Sequence, residues 1–66
     1  MVINMANKYD YFWIIQGNYG YGWEDLSYYD KKEYRYSDVL KDLREYRIAD
    51  SASKRVIERR ELAEEV

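Results

Sequence analysis

The chain has 66 residues, with 11 Lys or Arg against 13 Asp or Glu, and a formal net charge of −2. A chain of this length forms at most one small domain. It contains neither Cys nor His, which excludes disulfides, a thiolate nucleophile, zinc–thiolate sites and histidine as a general base. We therefore expect a protein that is not an enzyme and that needs no cofactor and no metal.

The start of the chain carries no targeting pattern. Residues 1–8 form a polar lead-in that lacks a basic region followed by an apolar run. The longest apolar run, residues 11–15, is far shorter than the roughly 20 residues that span a bilayer. We expect a cytoplasmic protein without membrane contact, in which a single α+β domain over residues 9–61 is followed by a C-terminal tail over residues 62–66.

A strand, a glycine-rich turn and a second strand are predicted first. Residues 9–16 are aromatic and β-branched and too few for a stable helix, which favours a strand. The three glycines, Gly17, Gly20 and Gly22, then predict a hairpin in which at least one glycine has a positive φ. The second strand is predicted over residues 21–29.

A helix and an ambiguous tail follow. Ser37 is the predicted N-cap of a helix over residues 38–49, while residues 34–36 are either extended or an early start of that helix. Residues 54–66 have good helix propensity, but a strand over residues 55–60 would complete the sheet. We favour the strand because two strands and one helix bury a poor core.

The predicted fold is therefore α+β, a small antiparallel three-stranded sheet with one helix on one face in a ββαβ-like order. Both alternating sets of side chains in the first strand are apolar. The core is expected to contain Phe12, Ile14, Val39, Leu43, Tyr46 and one of Val56 or Ile57. That choice leaves an uncovered face with Tyr11, Trp13 and Ile15, which predicts a homodimer or higher oligomer that assembles face to face or edge to edge.

Two short motifs have more ordinary interpretations than catalysis. The glycines resemble a phosphate-binding loop in spacing, but Trp23 follows them where such a loop needs a helix and a lysine. Glu24 and Asp25 are neighbours in a predicted strand, so their carboxylates point to opposite faces and do not form one acid–base or metal site.

Aromatic residues are the strongest functional signal. The chain has nine Tyr, two Trp and one Phe, more than one small core can hold, so some must lie on the surface. They either form cross-strand pairs that only stabilise the sheet, bind a protein, or stack on the bases of a nucleic acid. The predicted partner-binding residues are Tyr11, Trp13, Tyr19, Tyr21, Trp23 and Tyr28.

Nucleic-acid binding is the alternative function. Its candidate residues are the basic cluster of Lys54, Arg55, Arg59 and Arg60. Nucleic-acid binders usually have a positive net charge, whereas this chain is at −2. A solvated basic face is therefore the more ordinary interpretation of the cluster.

The segment of residues 13–26 resembles a family of small uncharacterised proteins of phage and bacterial genomes, which carry a Q-G-x-Y-G-x-G-W-E-D motif. The later family patterns are similar to residues 43–47 and 56–61 here, whereas residues 28–36 are longer and richer in tyrosine. The resemblance implies a ββαβ-type unit encoded by a phage or mobile element and acting in the host cytoplasm. It is compatible with an accessory or anti-defence factor that binds a host protein, but it implies no particular activity, because none is established for the family.

Overall fold

The structure is a computed structural model that describes residues 9–62. The chain order is strand β1 (Tyr9–Asn18), strand β2 (Trp23–Asp30), helix α1 (Tyr36–Ala49) and strand β3 (Ser53–Leu62). Both β2 and β3 pair antiparallel with β1, which gives one sheet in the order β2-β1-β3. The predicted α+β fold, with three antiparallel strands and one helix, is confirmed for these residues. The lead-in predicted over residues 1–8 and the last four residues of the predicted tail lie outside them.

Strand β3 decides between the helix and the strand that the sequence allows after residue 53. Residues 53–62 form a strand, and its register with β1 is unbroken from the Tyr9–Leu62 pair to the Asn18–Ser53 pair. The strand is longer at both ends than the predicted residues 55–60 and includes Leu62, one residue beyond the predicted end of the domain. Pairing along the whole of β1 overrides the helix propensity of this segment.

The hairpin between β1 and β2 depends on two of the three glycines. Gly20 and Gly22 have φ values of 104° and 101°, which confirms the expectation of a positive φ in this turn. The Asn18 side chain accepts a hydrogen bond from the Gly20 backbone N–H at 2.9 Å. Gly17 lies within β1 and has another role, because a Cβ there would come within 2.8 Å of the Tyr19 ring.

The helix begins at Tyr36, two residues before the predicted residue 38, which agrees with the early start that the sequence leaves open. Arg35 occupies the N-cap position and Tyr36 is the first helical residue, so the expectation that Ser37 caps the helix is wrong. The reason is that Asp38 caps from inside the first turn, where its carboxylate accepts the Arg35 backbone N–H at 2.9 Å. An acidic side chain in the first turn also interacts favourably with the helix dipole. No helix in residues 9–62 is long and apolar enough to cross a membrane.

The core lies between α1 and one face of the sheet. Its buried members are Ile15, Tyr29, Val39 and Leu43, and the partly buried Trp13, Leu26, Tyr46 and Val56 pack against them. The predicted helix residues Val39, Leu43 and Tyr46 are therefore confirmed.

The expected orientation of β1 is wrong. Ile15 and Trp13 face the helix, whereas Phe12 and Ile14 lie on the opposite face because side chains alternate along a strand. Val56, rather than Ile57, is the core residue of β3. The uncovered face with Tyr11, Trp13 and Ile15, on which the predicted oligomer depended, does not exist in this form.

Two hydroxyl contacts attach α1 to β2. The Tyr29 hydroxyl donates to Asp42 at 2.7 Å, and the Ser27 and Tyr46 hydroxyls lie 2.5 Å apart. Burial, together with the bond to Asp42, raises the pKa of Tyr29 to about 12. The tyrosine therefore stays protonated and serves as a hydrogen-bond donor that fixes the helix over the sheet.

Candidate binding surface

The face of the sheet opposite α1 carries an unusual set of polar, aromatic and apolar side chains, which we call the open face. Strand register places Gln16 between Asp25 and Arg55, and Ile14 between Tyr28 and Ile57. By the same alternation the central part of this face is made of Phe12, Ile14, Gln16, Trp23, Asp25, Tyr28, Arg55, Ile57 and Arg59. All three strands contribute to it.

A bulge in β2 makes this combination possible. Ile15 pairs with Ser27 while the next residue, Gln16, pairs with Asp25, so Leu26 is the extra residue. In a regular strand Asp25 and Tyr28 would point to opposite faces, because they are three positions apart. The bulge brings both to the open face and turns Leu26 towards the core.

The Asp25 carboxylate is the centre of a hydrogen-bond network. It accepts bonds from Gln16 Nε2 at 2.7 Å, from the Tyr28 hydroxyl at 2.8 Å and from Arg59 Nη1 at 2.7 Å. Gln16 in turn accepts a bond from Arg55 Nε at 2.8 Å. One carboxylate and one amide thus link side chains of all three strands.

This network keeps Asp25 ionised. The hydrogen bond from Arg59, followed by those from Gln16 and Tyr28, holds the pKa of the Asp25 carboxyl well below its usual range. The same contact with Asp25 raises the pKa of the Tyr28 hydroxyl and of the Arg59 guanidinium. At neutral pH the centre of the open face therefore carries the Asp25 carboxylate beside the guanidinium groups of Arg55 and Arg59.

Aromatic contacts complete the face. The Arg55 guanidinium lies 4.1 Å from the centroid of the Trp23 ring, a cation–π contact. The rings of Phe12 and Tyr28 meet edge to face with centroids 6.3 Å apart. Ile14 is fully buried on this side, whereas α1 packs against the other face, on Ile15. The Arg59 side chain crosses β1 at this position to reach Asp25, and Tyr28 and Ile57 flank Ile14 on either side.

The six predicted partner-binding residues do not share one surface. Trp23 and Tyr28 lie on the open face, and Tyr21 at the hairpin tip is 93% exposed. The other three, Tyr11, Trp13 and Tyr19, belong to the helix side of the sheet. The expectation that Tyr19, Tyr21 and Trp23 are at least partly exposed is confirmed.

Packing limits what the residues on the helix side can contact. The Trp13 ring packs against Tyr36 with centroids 5.4 Å apart, and the Lys31 ammonium lies 4.9 Å from the Trp13 ring. The Tyr19 hydroxyl donates to Asp50 at 3.3 Å. Both aromatics have structural contacts of their own.

The basic cluster is divided by the sheet. Arg55 and Arg59 are on the open face, while strand alternation turns Lys54 and Arg60 to the helix side. The Lys54 ammonium is buried and donates to Asp50 and, at 2.9 Å, to the carbonyl of Ala52. The four residues do not form one patch.

The acidic pair is also separated, as the sequence predicts. Glu24 lies opposite Gly17 and Asp25 opposite Gln16, so the two carboxylates are on different faces. Within residues 9–62 no group of three or more acidic, His or Cys side chains is placed to hold a metal ion.

Sequence reasoning missed Gln16 and Asp25 as members of the surface. The sequence feature that could have indicated Gln16 is that it is a polar residue directly after the apolar run of residues 11–15. The residue that Gln16 pairs with depends on the bulge, and the β2 sequence contains no Gly or Pro that would indicate a bulge.

No family model matches the chain, and neither the curated proteins nor the solved structures contain a significant match.

Proposed function

We propose that this chain is a small non-enzymatic interaction protein that binds a protein partner through its open face, with Tyr21 at the rim. The observation that supports this function best is the Asp25 network. It holds Tyr28 and Arg59 in fixed positions beside Trp23 and Arg55. A surface of this kind resembles a binding site that is already organised before the partner arrives.

The residue types support the same function. Trp, Tyr and Arg dominate the few residues that supply most of the binding energy at protein interfaces. A side chain that is held by hydrogen bonds before binding loses little conformational entropy on binding. Trp23 and Tyr28 keep part of their rings exposed, although both have contacts within the chain.

The proposed partner is a host protein, including a defence factor. This part of the proposal is supported by the resemblance of residues 13–26 to phage and bacterial proteins. The resemblance covers the hairpin and the bulged start of β2, which are the segments that build one side of the open face. The proposed place of action is the host cytoplasm.

A nucleic-acid partner is the second candidate, because Trp23 and Tyr28 share the open face with two arginines. Base stacking on a sheet with aromatic and basic side chains is a known mode of single-strand binding. The hydrogen bonds favour the protein partner: Arg59 is bound to Asp25, and Arg55 is bound to Gln16 and stacked on Trp23. Phosphate contacts would have to compete with these bonds.

Affinity capture with the intact chain tests the proposal. We expect the wild-type protein to retain a host protein that the double variant Trp23→Ala/Tyr28→Ala does not retain, provided that circular dichroism shows the variant to be folded. The matched control is Tyr34→Ala, which removes a partly exposed tyrosine on the helix side. Retention of the same protein by the folded double variant would contradict the proposal.

The salt dependence of binding separates the two candidate partners. Phosphate contacts release counterions, so binding to a nucleic acid weakens steeply as the salt concentration rises. We expect a shallow dependence for the captured partner. A steep dependence that disappears in Arg55→Gln or Arg59→Gln would favour the nucleic-acid alternative.

A further inference from the structure

The two outer strands of the described sheet differ as docking edges. Outer strands present backbone N–H and C=O groups that can pair with another strand. β2 is interrupted by the bulge at Leu26, a device that disfavours pairing. β3 is ten residues long, has an unbroken register and contains neither Gly nor Pro. The edge of β3 is therefore the better template for an additional strand.

The charged side chains on the helix side of β3 are complementary to those of a second, antiparallel copy of the same strand. Glu58 and Arg60 have opposite charges and lie two positions apart, so both point to the same face. The Glu58 side chain is largely exposed, although it forms an ion pair with Lys31 at 3.2 Å. A strand with this pattern complements a second copy that runs in the opposite direction.

A cleft lies beside the same edge. It has a volume of about 310 Å³ and is lined by Trp13, Tyr36, Val56 and Glu58. Leu62 lies on the same face of β3 and is 68% exposed. An exposed leucine can pack against the Trp13 and Val56 side chains of such a cleft.

We propose that two copies of this chain pair antiparallel through β3, about a two-fold axis at Arg59. In this register Glu58 lies opposite Arg60 of the second copy, and Val56 lies opposite Leu62 of the second copy. The symmetry forms each contact twice, and it brings each Leu62 to the cleft of the other chain. The result is a continuous six-stranded sheet with both helices on the same side.

The charges near the axis are compatible with this arrangement. The two Arg59 side chains face each other on the open face, but each is neutralised by Asp25 of its own chain at 2.7 Å. Charged side chains usually protect an edge from pairing. Here their order selects a single register, because a shift by two positions would place the two Glu58 carboxylates opposite each other.

The mass in solution is the first test. The chain has a mass of 8.1 kDa, so we expect sedimentation equilibrium at micromolar concentrations to give twice that value. A monomer at several hundred micromolar would overturn the proposal. This assembly is independent of the proposed function, because β3 pairing leaves Trp23 and Tyr28 on β2 accessible.

A charge exchange tests the register. We expect Glu58→Arg and Arg60→Glu each to raise the dimer dissociation constant at least about tenfold, since each places like charges opposite one another. The double variant with both changes restores the opposite-charge pairs and should return to the wild-type constant. Single variants that dimerise normally, or a double variant that stays monomeric, would overturn the proposed register.

A second pair of variants does not depend on these charges. Leu62→Asp should dissociate the dimer, because it places a carboxylate opposite the Val56 side chain of the second copy. The control, Ile48→Asp, changes a residue that is 79% exposed near the end of α1 and should leave the dimer intact. Circular dichroism checks that both variants are folded. Equal effects of the two folded variants would contradict the assigned interface.

Discussion

The two faces of the sheet bury their central residues in different ways. Ile15 and Ile14 are adjacent in β1 and both fully buried, but only Ile15 is covered by α1. On the open face, Ile14 is covered by side chains of the sheet itself, which are connected through Asp25. A small chain can therefore bury both faces of a sheet with one helix, if long polar side chains form the second cover.

The largest expected effect is on the helix-covered face. Ile15→Ala should lower the free energy of unfolding by about 3–5 kcal/mol, in the upper part of the usual range for such a change, because α1 holds the surrounding residues apart. Urea denaturation followed by circular dichroism measures this loss. A loss below that of Ile14→Ala would contradict the contrast between the faces.

A smaller loss is expected on the open face. Ile14→Ala removes the same atoms, but the neighbouring Phe12 and Ile57 side chains, which the Asp25 network does not hold, can move into part of the cavity. We expect a loss of about 2–3 kcal/mol, since the cost depends on how far a site can collapse. The measurement is the same urea series, and equal losses for both variants would mean that the open face is as rigid as the core.

The glycine turn is the next test. Gly20→Val should cost more than about 1 kcal/mol, because φ is 104° at this position and a β-branched residue is strained there. Tyr21→Val is the neighbouring control and should have almost no effect, since its side chain is exposed. Thermal unfolding compares the two, and an unchanged Gly20→Val would show that the turn relaxes.

A smaller effect is expected from Asp25, whose contribution to the free energy of unfolding depends on pH. The pKa of Asp25 is lowered in the folded state, chiefly by Arg59, so the stabilisation is complete above the unfolded Asp pKa of about 3.9. It is lost as the pH falls towards the lower folded value. Asp25→Asn should be less stable than wild type at pH 7, and this difference should shrink below about pH 4.

The neighbouring carboxylate provides the control for that series. Glu24→Gln removes an exposed charge on the helix side and should follow the wild-type pH profile. Asp50 also has a lowered pKa, owing to Lys54, so part of the acid instability will persist in every variant. A constant difference between Asp25→Asn and wild type from pH 7 to pH 2 would contradict the assigned role of Asp25.

The sequence predicts the order of the elements because glycines, aromatic runs and helix periodicity are local signals. It does not predict which face of β1 meets the helix, since Trp13 and Ile15 are as apolar as Phe12 and Ile14. The bulge at Leu26 is equally hidden, because it depends on the pairing of two strands. By contrast, once residues 53–62 are known to form a strand, the alternation of side chains alone predicts that Arg55 and Arg59 lie on one face and Lys54 and Arg60 on the other.

The most direct test of the central claim compares two tyrosines on opposite sides of the sheet. Tyr28 on the open face is 52% exposed and Tyr34 on the helix side is 44% exposed, so their alanine variants remove similar accessible surface. Calorimetric titration with the captured partner should give about tenfold or more weaker binding for Tyr28→Ala and an almost unchanged constant for Tyr34→Ala. Equal constants, or a larger loss for Tyr34→Ala, would contradict the assignment of the open face as the binding surface.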